Sequence, residues 1–182
     1  MSTEVTIDEF GRPHPPLAVD EATALFAFLD YQRATLRWKC SGVDQAGLRT
    51  RVADSDLTLG GLLKHMALVE DGWFRRRLFG GTMRPPFADA DWDADPDWEL
   101  HSADDDSPDY LLDLWDAAVR QSKENAATAM ADGGLDRLSD VTWADGRTPN
   151  LRWIVLHMIE EYARHVGHAD LIREVVDGAK GE

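Results

Sequence analysis

Cysteine is nearly absent. Cys40 is the one thiol in 182 residues, which excludes an internal disulfide framework, a cysteine-ligated zinc site and a CxxC redox pair. No apolar run reaches the ~18 residues that a membrane-spanning helix needs. The opening MSTEVTIDEFGRPHPPL has neither the basic nor the apolar segment of a secretion signal, so the expectation is a soluble, cytoplasmic chain with no membrane partner. Basic residues are scarce as well. Nineteen Lys and Arg stand against 34 Asp and Glu, a net charge of −15, and such a field repels phosphate backbones and anionic lipid. Nucleic acid is therefore not an expected partner. The GxSxG, P-loop and GxGxxG signatures are missing too, which argues against an α/β-hydrolase, an NTPase or a dinucleotide enzyme.

What the chain does have is 43% hydrophobic residues and seven tryptophans, enough for one good core. The punctuation predicts four helices. The first starts at an Asp20 cap and runs to about Lys39, with Leu25, Leu29, Ala34 and Leu36 inward and Gly42 beyond. Thr58 caps the second, which stops at Gly80-Gly81 and carries Leu62, Met66, Val69 and Trp73 as an apolar stripe with His65 on its edge. Ser107-Pro108 opens the third, whose expected buried face is Tyr110, Leu111, Leu114, Trp115, Ala118 and Val119, ending near Ala131. Thr148-Pro149 repeats the device before the fourth, which stops at Gly178. Residues 43–57 read as irregular, 141–147 as at most a short hairpin, and Arg75, Arg76 and Arg77 as a solvated helix end. Residues 82–107 form a long acidic connection that holds Trp92 and Trp98, either mobile or packed over the body as a lid. The expected architecture is all-α, a four-helix bundle over residues 20–178 with this acidic crossover between helices two and three, preceded by an extended arm, residues 1–19.

The chemistry is concentrated in 153–173, WIVLHMIEEYARHVGHADLIR. At roughly 100° per residue, His157, Glu161, His165 and His168 fall within about an 80° arc, beside an apolar arc of Val155, Met158, Ile159, Tyr162 and Val166. Polar groups there need a hydrogen bond, a charge partner or a metal. Glu161 and His165, four residues apart, can ligate one ion from a single helix, and His65 from a facing helix is the candidate third ligand. A His/His/Glu set leaves coordination positions open, the pattern of a catalytic zinc site, and suits nickel, cobalt or iron as well. In the alternative the same residues are intrahelical charge pairs and hydrogen-bonded packing. A ferritin-like di-iron site is disfavoured, because it wants Glu-x-x-His on two helices.

The run from His157 through Glu161 and His165 to Gly167-His168 resembles the last-helix motif of the DinB-like (damage-inducible protein) superfamily. GGLLKHMALVEDGW is similar to that superfamily's first metal-ligand segment, with its histidine at His65. With Trp153 and the Asp145-Gly146 turn, the likeness covers roughly residues 20–176. The His/Glu/His version resembles the branch that contains the mycothiol-dependent maleylpyruvate isomerase and its actinobacterial relatives. The resemblance implies a bundle that is often a homodimer and a divalent metal, zinc first and nickel or iron next, on His65, Glu161 and His165. It also implies a transferase or isomerase that activates a low-molecular-weight thiol such as mycothiol against an electrophilic small molecule. His168 and His157 stand as catalytic candidates on the same arc. A hydrolase that uses the metal to activate water and a non-catalytic stress-response binding module are the competing expectations.

Overall fold

The computed structural model describes residues 5–180, so residues 1–4 of the predicted arm lie outside the described residues. Four long helices make the body: α1 (Glu21–Cys40), α3 (Leu59–Asp71), α5 (Pro108–Ala131) and α6 (Leu151–Asp177), with short helices α2 (Gln45–Leu48) and α4 (Trp98–Ser102) between them. Among the described residues there is no strand, and no helix is long and apolar enough to cross a membrane. The chain is all-helical, as expected. α1 packs along α6 and α3 along α5, while α3 also meets α6.

Local chemistry sets most of the helix ends. The side chains of Asp20, Thr58 and Ser107 accept hydrogen bonds from the backbone N–H groups of Thr23, Gly61 and Tyr110, satisfying donors that have no partner inside the helix. Gly178, at φ 77°, closes α6. The start of α6 differs from expectation. Asn150, not Thr148, is its cap, accepting from Trp153 N–H at 2.9 Å. Thr148 bonds the Thr142 hydroxyl at 2.8 Å, and the Pro149 carbonyl accepts from Ser139 N–H at 2.9 Å. Pairing with residues 138–142 therefore keeps the chain extended until Asn150, and among the described residues the one bridge here, Leu138 to Asn150, flanks the 141–147 piece expected to be at most a short hairpin.

Other departures have similarly local reasons. Asp44 caps α2 within the segment expected to be irregular. Tyr110 is exposed because it lies one residue, about 100° of helix, away from the fully buried Leu111. α3 does not simply run on to Gly80 but widens into a π-helical turn, Gly72–Arg77. Arg75 is consequently buried against Asp71, with Nη2–Oδ2 at 2.8 Å, and Arg76 and Arg77 are half-buried; the three arginines are not a solvated helix end. The described part of the arm lies against α1, with Phe10 stacked on Trp38 at 4.1 Å. Residues 82–107 pack on α3. Trp98 meets Phe87 and Trp92 edge-on, and the buried Lys64 ammonium sits over Trp98 while bonding Ser102 at 2.9 Å and Asp106 at 2.6 Å.

A buried polar cluster ties the four long helices together. Glu70 of α3 receives Arg33 of α1 through two bonds, 2.7 and 2.8 Å, and the Tyr162 hydroxyl of α6 at 2.7 Å. From α5, Trp115 donates to that hydroxyl at 2.9 Å and Ser122 to the Glu70 carbonyl at 3.2 Å. Glu70→Leu should cost about 3–5 kcal/mol in urea unfolding, because it leaves Arg33 buried without its partner. The double variant Arg33→Met, Glu70→Leu should cost clearly less. Equal losses would show that the pair is not the source of the effect.

Candidate metal centre

α6 turns Val155, Met158, Tyr162 and Val166 into the core, and the same helical geometry places His157, Glu161, His165 and His168 at the boundary of that buried face. His65 lies on the α3 surface that meets it. Its ring centroid is 4.9 Å from that of His165, at 61°. His65, Glu161 and His165 each present one donor atom, and the three atoms lie within 4.8 Å of one another. His165 Nε2 is 3.5 Å from Glu161 Oε2. The fold thus brings together one residue from α3 and two from α6 that are about a hundred positions apart in sequence.

His65 has a partner that the sequence reading missed. Its Nδ1 bonds Glu99 Oε1 at 2.9 Å, from α4 in the acidic connection. With that N–H donated to a carboxylate, the Nε2 lone pair is left free to bind an ion. Glu99 is buried, and its other oxygen has no hydrogen-bond partner among the described residues. The available signal was its position between Trp98 and Leu100, two apolar residues in an otherwise acidic stretch.

The other two histidines stand outside the three-donor group, on either side of it. His168 Nδ1 faces His165 Nδ1 at 3.5 Å. His157 stacks on Trp153 and meets Trp73 edge-on at 4.6 Å, with its Nε2 3.3 Å from Glu161 Oε1. His157, Glu160 and Glu161 form a second set with compatible spacing, but Glu160 is exposed and paired to Arg164. The first set fits a divalent ion better. It offers two imidazoles and a carboxylate from two helices, and a buried carboxylate orients one of the imidazoles.

A family model described as Mycothiol-S-transferase matches residues 24–178. The chain belongs to the mycothiol-S-transferase family. This is a DinB-like family, so the likeness carried by helices two and four holds for the greater part of the chain, and a small-molecule thiol is the substrate that membership implies. No curated protein matches the chain.

Burial, with the neighbouring His65, His168 and Arg164, pushes His165 down to about 4. The imidazole is therefore neutral, with a lone pair to donate, throughout the neutral range. An unfolded histidine titrates near 6.5, so between these values the unfolded chain binds more protons and folding stability falls as pH drops from about 6.5 towards 4. In metal-free protein, urea unfolding across this window should show a flatter pH dependence for His165→Asn than for wild type. An equally steep decline in the variant would count against this state of His165.

Proposed function

We propose that the protein is a metal-dependent thiol S-transferase in which His65, Glu161 and His165 hold a divalent ion, zinc in the first instance, and mycothiol or a close analogue is the thiol. The observation that carries this reading is the convergence of those three donors in a chain of the mycothiol-S-transferase family. In the transfer the thiol sulfur forms a bond to an electrophilic carbon. The electron pair displaced from that carbon departs with a leaving group or, in an addition, takes up a proton. The bound ion supplies positive charge that favours the deprotonated, nucleophilic form of the thiol.

The protein's own groups handle the rest. His157 takes the thiol proton at Nε2, where the adjacent Glu161 carboxylate stabilises the arriving charge, while Trp153 and Trp73 hold the ring in place. His168 acts on His165, whose Nδ1 it faces, and so keeps His165 Nε2 turned towards Glu161. Glu99 does the same for His65.

Elemental analysis of the purified wild type should give about one ion per chain, and His65→Ala, Glu161→Ala and His165→Ala should each lose it. Glu99→Gln should keep the site but weaken metal affinity about 10–100-fold. Mycothiol offered with an aromatic electrophile should be consumed by wild type and not by His165→Ala. Full metal retention in all three alanine variants would refute the site. Ester or amide hydrolysis without added thiol, with no thiol consumption, would instead identify a water-activating enzyme.

A further inference from the structure

Arginine in this chain usually has a carboxylate beside it. The buried Arg33, Arg75 and Arg173 pair with Glu70, Asp71 and Asp177. Arg76 and Arg77 are the exception among the half-buried ones. Neither has a hydrogen bond or ion pair to any described residue, and the Arg77 guanidinium rests over the Trp143 ring at 5.7 Å. In a molecule with 34 acidic side chains, two partly desolvated cations without an anion are an incomplete electrostatic arrangement. Both line one cavity of about 580 Å³, whose other walls include Trp73, Met83 and Trp92.

Gly72 opens that cavity. It has ordinary helical torsions, φ −57° and ψ −48°, so no backbone conformation requires glycine, and glycine inside a helix costs roughly 1 kcal/mol relative to alanine. A Cβ built there meets nothing within 4 Å, whereas at Gly60 and Gly61 it meets neighbours at 3.1–3.3 Å. What the missing side chain leaves at 72 is room.

The cavity also adjoins the three-donor site. Two of its lining residues, Leu68 and Val69, follow His65 at i+3 and i+4, on one helix face. Trp73 touches His157, which touches Glu161. We infer that this cavity binds the electrophilic co-substrate of the transfer, and that the co-substrate is a flat, apolar molecule bearing a carboxylate that Arg76 and Arg77 receive while Trp73 and Trp92 cover its body. The inference rests on the thiol-transfer reading for the word co-substrate; the binding itself does not depend on the metal.

The probe pair is 2-naphthoate and its neutral counterpart 2-naphthamide, titrated by quenching of tryptophan fluorescence. Both zinc-loaded protein and protein stripped by a chelator are used. Naphthoate should bind roughly tenfold tighter than the amide, the discrimination that a charge-assisted hydrogen bond supplies, and equally so in both forms. Arg76→Gln with Arg77→Gln should abolish the preference. Gly72→Leu should weaken both ligands at least tenfold without lowering the melting temperature. Equal binding of acid and amide, a preference that survives the double variant, or a preference seen only with zinc present would each overturn the inference. Loss of metal in the stripped form leaves the cavity measurement valid, and failure of the cavity leaves metal content unchanged, so the two readings fail separately.

Discussion

The structure depends on one carboxylate, Glu70, which lies in the core with no exposure. A charge there is tolerated only because Arg33 meets both of its oxygens and Tyr162 adds a third hydrogen bond. Burial and the Glu70 charge in turn hold the Tyr162 phenol well above its usual range, so it remains a donor. The arrangement is directional, unlike the apolar contacts around it, and it fixes how α6 is rotated against α3. Glu161 precedes Tyr162 by one position and His165 follows by three, while His65 lies five residues before Glu70. A small rotation of α6 that broke the Tyr162 bond would also carry Glu161 and His165 away from His65.

A second layer of charge pairing shapes the periphery. Buried Lys39 meets Asp170 at 2.9 Å, and Arg173 binds the Lys39 carbonyl at 2.7 Å at the end of α1. Lys64 and His65, consecutive on α3, take Asp106 and Glu99 from the acidic connection. That segment is strongly acidic, and Lys64 and the His65 ring N–H on α3, with Arg51 before it, give its carboxylates partners that decide where it lies. A segment that composition alone leaves between mobile and packed becomes a wall of the site because residues outside it supply partners for its carboxylates.

Sequence periodicity reaches only as far as one helix. The stripe His157, Glu161, His165 and His168 was legible because i, i+4 and i+8 share a face whatever the fold does, and the caps at Asp20, Thr58 and Ser107 because capping is chemistry over three residues. His65 was reachable because its place at the apolar edge of α3 implies a cleft. Glu99 was not, since its contact spans 34 positions and depends on where a connection folds. The Asn150 cap was masked by the stronger Thr-Pro signal two residues earlier. The π turn has no local signature, and with it went the positions of the three arginines, which follow from an extra residue in the turn rather than from any property of the GWFRRR run.

Glu161 also shows why a carboxylate suits the middle of the stripe. An imidazole there would present one free nitrogen after donating its hydrogen. The carboxylate has two oxygens, one 3.3 Å from His157 Nε2 and one 3.5 Å from His165 Nε2, so it faces neighbours on both sides along the same helix. Its negative charge beside two imidazoles also gives the site a net attraction for a cation that three neutral histidines would not have. The same charge repels a carboxylate-bearing molecule, which is a physical reason for the anion's receptors, Arg76 and Arg77, to lie about three turns further along α3 and its π turn rather than beside His65.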